Sequence, residues 1–218
     1  MRHVALSSLA VLFVISGAHR LSVVTLEAQG DSGKPIRTVK DGIMDEIRVY
    51  KEPAPVASSA IAIRSFSATD ANLSESNKGK EIPKQTVEMQ AIGPKVLAEK
   101  FALELKKAGP YTNVSVVDAG ATPPPGAILV EGKFTELDPG SRAKRYVVGF
   151  GAGKSGVAIE GSVKAADGTL LATFVQRRIG AMGAFGGDSV GKMTEDCRNI
   201  GEDIAKFLSA WASNKKLK

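Results

Sequence analysis

Histidine and cysteine, which often supply nucleophiles, general bases and metal ligands, are almost absent from this sequence. Both histidines lie at the N-terminal end, His3 and His19, and Cys197 is the only cysteine. One cysteine forms no disulfide within the chain and excludes a cysteine-based metal site. Ser-His and Cys-His nucleophiles are therefore excluded from the folded part. We expect no enzyme, no metal site and no cofactor.

Aromatic residues are also sparse, at 6% of 218 residues, and the basic residues are scattered along the chain. The net charge is only +6. Proteins that bind nucleic acids usually concentrate basic residues in a stripe with interleaved aromatics. The densest basic clusters here are confined to 142–145 and 215–218. We therefore expect no nucleic-acid partner.

The first eighteen residues have the pattern of a secretory signal peptide. Arg2 and His3 precede an apolar run over 4–15, which is too short to span a bilayer comfortably. Small residues predict cleavage after Ala18, with cleavage after Ala28 as the alternative. No cysteine lies near this site, so the sequence does not predict a lipoprotein. We expect a periplasmic or secreted protein with no transmembrane span after cleavage.

The rest of the chain divides into three parts. Residues 19–55 predict an extended or poorly ordered leader, in which 43–50 fit either a short strand or a helical turn. Residues 56–213 predict a single α/β domain, and residues 214–218 a basic tail. Alternating apolar residues predict strands near 57–66, 113–118, 127–137, 157–163 and 169–179. Apolar stripes predict helices over 86–108 and from 188–189 onward. We therefore predict an α+β or α/β fold, with a mixed sheet of about five strands and two main helices packed on it.

Three details of these elements are also predicted. Strand, helix and strand over 57–118 predict a parallel crossover, and Pro94 suits the start of the helix core. Asp167-Gly168 predicts a β-hairpin, because both central residues of a type I′ turn need positive φ. In the last helix, Cys197 lies on the apolar stripe and is expected to be buried. Glu195-Asp196 and Glu202-Asp203 are placed on its solvated face.

The most distinctive stretch is glycine-rich and spans 138–156, and a second glycine segment follows over 180–189. The glycines concerned are Gly149, Gly151, Gly153, Gly186 and Gly187. Alternate glycines leave one strand face bare, so another backbone or an aromatic ring can approach closely. We predict such a structural role for these five glycines. Nucleotide binding is less favoured, because strand-like residues rather than a helix follow Gly156.

Cations border the first glycine segment and allow a second interpretation. The candidate anion site consists of Arg142, Lys144, Arg145, Lys154 and Asp188. Guanidinium and backbone N–H groups together bind anions well. Asp188 would either orient one of the cations or cap the last helix. A solvated basic turn is the alternative to a site.

The run over 140–154, followed by the hairpin and Phe185-Gly-Gly-Asp-Ser189, resembles the bacterial family catalogued as domain of unknown function 4410. The resemblance covers roughly residues 57–212. It implies an exported, often lipid-anchored envelope protein with no established activity. The absence of a lipoprotein cysteine departs from that pattern and puts membrane anchoring in question.

Together, these observations predict a non-catalytic binding or assembly module of the cell envelope. Its expected partners are other envelope proteins, and the sequence leaves its oligomeric state open. The alternative is a module that binds an anionic ligand at the Arg142–Lys154 region. An enzyme is the third possibility.

Overall fold

Seven strands and two helices lie in the part of the chain that the structure describes. The computed structural model describes residues 33–40, 42–52, 54–56, 59–71, 82–108, 110–111, 113–140, 154–180 and 188–213. The strands are β1 (Arg37–Val39), β2 (Glu46–Val49), β3 (Ile61–Arg64), β4 (Val114–Val117), β5 (Ile128–Asp138), β6 (Ser155–Lys164) and β7 (Leu170–Gly180). The helices are α1 (Lys84–Ala108) and α2 (Ser189–Ala212). The predicted α+β class with a mixed sheet and two helices is confirmed.

The strands form one sheet in the order β1-β2-β7-β6-β5-β3-β4. β3 is parallel to both β4 and β5, and all other neighbours are antiparallel. Parallel strands need a long connection, and the 25 residues of α1 provide it between β3 and β4. The predicted parallel crossover is therefore present.

The sheet has two strands more than the five that were predicted. β1 and β2 lie within residues 19–55, the predicted extended or poorly ordered leader. They are extended, but β2 pairs with β7 over its whole length, and Ile47 and Val49 are buried. β1 has only three residues, and the sequence around β2 fits a helical turn as well as a short strand. Pairing with the much longer β7 is what fixes their structure.

Helix α1 begins at Lys84 and continues through Pro94, so the prediction that its core starts at this proline is wrong. A proline inside a helix removes one backbone N–H donor. The earlier turns are held by tertiary contacts instead, since Met89 and Thr86 are fully buried. The Thr86 hydroxyl also donates to the Leu137 carbonyl at 3.3 Å. Packing therefore outweighs the local preference of the proline.

Both helices pack on one face of the sheet, which we call the covered face. A row of aromatic rings fills the space beneath the helices. The rings are Phe66, Phe174, Phe207 and Trp211, with successive centroids 6.4, 6.1 and 5.6 Å apart. A Cβ at Gly132 would overlap the Phe66 ring, and one at Gly161 would overlap Phe174. Glycine thus makes room for aromatic rings in the described strands, at other positions than the five predicted glycines.

The β6–β7 hairpin is present, but its turn differs from the predicted one. The Gly168 N–H donates to the Ala165 carbonyl at 2.9 Å, so Ala166 and Asp167 are the central residues. Gly168 follows them with φ +84°. This pattern, with a register shift after Val163, is typical of a three-residue loop with a bulge. The prediction that Asp167 and Gly168 form the centre of a type I′ turn is therefore wrong.

Candidate functional site

Two of the predicted anion-site residues lie within the described structure. Lys154 directly precedes β6 and is exposed. Asp188 is the N-cap of α2, where its Oδ1 accepts a hydrogen bond from the Val190 N–H at 3.0 Å. The remaining residues lie outside the described ranges: Arg142, Lys144, Arg145, Gly149, Gly151, Gly153, Gly186 and Gly187. The anion site therefore stays a prediction. In the structure, Asp188 caps α2.

The strand ends beside Lys154 are packed unusually closely. Ser155 and Gly180 are paired at the ends of β6 and β7, and the Ser155 side chain is fully buried. A Cβ at Gly180 would overlap Ser155 Oγ and lie 3.0 Å from Cγ of Lys192. Glycine at 180 therefore lets a buried hydroxyl and a lysine of α2 approach the same point. Ser155 Oγ has no hydrogen-bond partner in the described structure.

From this point a polar seam runs between α2 and β7. The polar seam consists of Ser155, Gln176, Arg178, Lys192, Asp196 and Asp203. Asp196 and Asp203 were predicted on the solvated face of the helix, but each is only 4% exposed, so that prediction is wrong. Carboxylates enter such an interface when polar partners face them. Gln176 and Arg178, on the helix-facing side of β7, provide these partners for Asp203.

One half of the seam is well bonded. The Gln176 amide donates to Asp203 Oδ2 and to the Ile43 carbonyl, both at 2.9 Å, and its oxygen accepts from the Asp45 N–H at 2.8 Å. Arg178 Nη2 also donates to Asp203 Oδ2. A buried amide with all these bonds made is stabilising, because none of its polar atoms loses water without replacement.

The other half is poorly bonded. Asp196 has Lys192 as its ion-pair partner, with Nζ 3.4 Å from Oδ1, and Glu195 contacts the same Nζ at 3.3 Å. Oδ2 of Asp196 has no hydrogen-bond partner in the described structure. Burial raises the pKa of Asp196, the charge of Glu195 adds to this, and Lys192 and Arg178 only partly oppose it. Burial alone would lower the pKa of Lys192, but the two carboxylates outweigh it and raise that pKa.

The opposite sheet face, the open face, carries charges in pairs that cross between strands or follow one strand. The pairs are Arg48–Glu46, Arg64–Glu131, Lys164–Glu131, Lys133–Glu160 and Arg177–Glu136. Burial alone would raise the pKa of Glu131, but Lys164 and Arg64 outweigh it, and the pKa is lowered. An antiparallel sheet can present such a polar face to water.

One pair on the open face spans a whole strand. Glu136 of β5 accepts hydrogen bonds from Nε and Nη2 of Arg177 on β7, at 2.7 and 2.9 Å, across the intervening β6. Its carboxylate lies directly over Gly156, where a Cβ would overlap Oε1. The bidentate pair raises the pKa of Arg177. Beside it, Val175 and Ile179 are 40% and 54% exposed.

A family model described as domain of unknown function (DUF4410) matches residues 61–184. The chain belongs to the DUF4410 family. The resemblance inferred from the glycine segments is thereby confirmed. The match begins at β3 and ends after β7, so β1, β2 and α2 flank the matched part of this DUF4410 protein. No curated protein sequence matches the chain.

Two of the solved structures that are similar to the DUF4410 protein show its fold in other proteins. Both are PelC dodecamers from Paraburkholderia phytofirmans, one of them a substituted variant. They are 12% and 13% identical in sequence, and each similarity covers 75% of this chain and 95% or 96% of the PelC chain. The TM-score is 0.46 in both comparisons, and a likeness of this degree carries no functional argument.

Three further observations concern the chemistry of the DUF4410 protein. Within the described ranges, no three His, Cys, Asp or Glu residues cluster closely enough to hold a metal ion. In the same part of the chain, no helix combines the length and apolar character needed to cross a bilayer. Cys197 is fully buried as predicted, and burial raises the pKa of its thiol to about 12. A thiol in this state is a poor nucleophile.

Sequence reasoning missed the polar seam, although two signals for it exist. Asp196 and Asp203 are seven residues apart, which places them along one side of a helix. On β7, Gln176 and Arg178 continue the inward positions begun by Phe174. Polar residues at inward strand positions opposite carboxylates at helical spacing indicate a buried polar interface.

Proposed function

We propose that this DUF4410 protein is an exported, non-catalytic module of the bacterial cell envelope that binds or assembles with another envelope protein. The proposed contact is the open face around Val175, Arg177 and Ile179. Export rests on the sequence pattern of residues 1–18. The single observation that carries the binding role is the exposure of two aliphatic side chains within a face of fixed charges.

The fixed charges favour a binding role for this face. Arg177 is held by two hydrogen bonds to Glu136, so little side-chain freedom remains to be lost when a partner binds. Val175 and Ile179 flank it on the same strand and offer apolar area. Central apolar residues surrounded by polar ones are the usual composition of a protein–protein interface.

The charge balance of the face indicates the chemistry of the partner. Each cation of the open-face pairs already contacts a carboxylate, which leaves little free positive potential. Polyanions such as nucleic acids need unpaired cations. The face therefore fits a folded protein surface of mixed charge with an apolar centre.

The binding role is tested by placing a photo-crosslinking amino acid at Val175 or Ile179 in the full chain, in cells. We expect one discrete crosslinked envelope protein. The matched control is Val116, which is 45% exposed but lies on the edge strand β4. Equal yields at 116, 175 and 179, or none at the last two, would contradict the proposed contact. Crosslinking to a second copy of the chain would show self-association in place of a different partner.

Export has its own test. We expect mass spectrometry of the protein from the periplasm or medium to give an N-terminus after Ala18 or Ala28. A chain found only in the cytoplasm with Met1 retained would contradict export and leave the binding test unaffected.

A module for an anionic ligand is the second candidate. It is favoured by the exposed Lys154, which directly precedes Ser155 in the chain, and by Ser155 Oγ and Arg178 Nε, two groups without a partner in the described structure. It ranks second because the nearby Lys192 and Arg178 already contact carboxylates. Titration with inorganic phosphate, followed by amide NMR shifts, tests it. Saturable shifts at Lys154 that Lys154→Ala removes would support it, and unchanged spectra would contradict it.

A further inference from the structure

At one end of the polar seam, a single lysine contacts two carboxylates, of which only one is buried. Lys192 contacts Asp196, whose side chain is 5% exposed, and Glu195, whose side chain is 60% exposed. Arg178 Nη2 donates a hydrogen bond to Asp203, and Lys192 Nζ donates one to Glu195. Asp196 is therefore a buried carboxylate that shares its cation with a second carboxylate. Adding one proton to Asp196 would remove a buried negative charge.

Lys192 and the charge of Arg178 offset the burial of Asp196 only in part. Its side chain is 5% exposed, and Oδ2 has no hydrogen-bond partner in the described structure. Two residues earlier on α2, Thr194 Oγ1 donates to Met89 Sδ of α1 at 3.6 Å, a contact without charge. The seam residue that lies on β6, Ser155, also carries no charge. A buried carboxylate in this position is costly when ionised and much less so when neutral.

We propose that Asp196 is a proton-operated latch between α2 and β7. When Asp196 is neutral, the first half of α2 packs firmly against the end of β7. When Asp196 is ionised, that contact is weakened. The inference goes beyond the proposed function and does not depend on it.

The direction of the effect follows from linkage between proton binding and folding. Burial is the largest cause of the raised pKa of Asp196, and Glu195 contributes in the same direction. A carboxyl group with a higher pKa in the folded state binds more protons there than in the unfolded state. Stability therefore rises as the pH falls through the folded-state pKa of Asp196, and it is lower at neutral and alkaline pH.

The test compares the wild-type chain with Asp196→Asn between pH 4 and pH 8. The amide is nearly isosteric with the neutral acid and cannot ionise. At pH 8 we expect Asp196→Asn to melt about 2–4 °C higher than wild type. The two should converge at low pH. At pH 8, hydrogen exchange of the amides at 192–197 should be slower in Asp196→Asn than in wild type, in proportion to the difference in stability. The control is Glu99→Gln on α1, which removes an exposed carboxylate from its ion pair with Lys95. Its melting temperature should show no such pH-dependent convergence with that of the wild type.

Two outcomes would overturn the latch. One is a melting difference between wild type and Asp196→Asn that does not change with pH. The other is Asp196→Asn destabilising the protein at pH 8. If the variant does not fold, the titration midpoint of Asp196 is measured instead by carboxyl ¹³C NMR of the wild-type chain. A midpoint for Asp196 above that of an unfolded aspartate, about 3.9, supports the latch, and a lower midpoint refutes it.

Discussion

On the open face Glu131 lies between two cations, whereas at the covered face Asp196 shares a single lysine with a second carboxylate. Both side chains are mostly buried, at 21% and 5% exposed. Their pKa values nevertheless move in opposite directions, down for Glu131 and up for Asp196. The direction of each pKa shift depends on how many cations contact the carboxylate and on whether another carboxylate shares them. The open face is thus built from matched charges, and the covered face tolerates a mismatch.

The largest expected effect tests how rigid the covered face is. We expect Gly132→Ala to lower the free energy of unfolding by about 3 kcal/mol or more, since the new Cβ would overlap the Glu160 carbonyl and the Phe66 ring. Urea unfolding measures the loss. Gly120→Ala is the control, because nothing lies within 4 Å of that Cβ. A Gly132→Ala variant as stable as the control would show that the aromatic row is loosely packed.

The next effect concerns the well-bonded half of the seam. Asp203→Ala removes the acceptor of Gln176 and Arg178 and leaves both donors without it. We expect a loss of about 2–3 kcal/mol, because buried donors then lack partners. Glu202→Ala, one residue away on the outer side of α2, should cost at most about 0.5 kcal/mol. Equal losses in thermal melting would mean that Asp203 is not protected from water.

A smaller effect follows from Glu131 and depends on pH. Its pKa is lowered in the folded state, so its stabilisation is complete above the unfolded value of about 4.3 and is lost as the pH falls through the folded-state value. We expect Glu131→Gln to cost about 1–2 kcal/mol at pH 7 and almost nothing near pH 2. Denaturant midpoints across this range measure it. A loss that stays constant with pH would indicate packing instead of charge.

The smallest effect should come from Gly156→Ala on the open face. Its Cβ would overlap only the end of the Glu136 side chain, which can move away and lose its contact with Arg177. We expect a loss of about 0.5 kcal/mol that shrinks in 1 M salt. A loss as large as that of Gly132→Ala would mean that the two faces are equally rigid.

Five strands and the apolar faces of both helices could be predicted from the sequence, whereas the pairing of the two N-terminal strands and the buried polar contacts could not. β5, β6, β7 and the apolar stripe of α2 have enough periodicity to be recognised. β1 and β2 depend on pairing with β7, and the residues of β1 and β2 alone do not indicate this pairing. Asp196 and Asp203 were misplaced, because a charged residue beside an apolar stripe is usually solvated and its partners lie on a distant strand. Asp188 caps α2, which was the alternative to orienting a cation, and the anion site itself stays a prediction.

Gln176 couples the two ends of the fold. Its hydrogen-bond partners are Ile43 and Asp45 before β2 and Asp203 near the end of α2. All three lie outside residues 61–184, the part that defines the family. A chain trimmed to those residues would keep Gln176 and lose every one of these partners. The flanking segments are therefore integral to the folding unit, and unfolding at either end should be transmitted to the other through one amide.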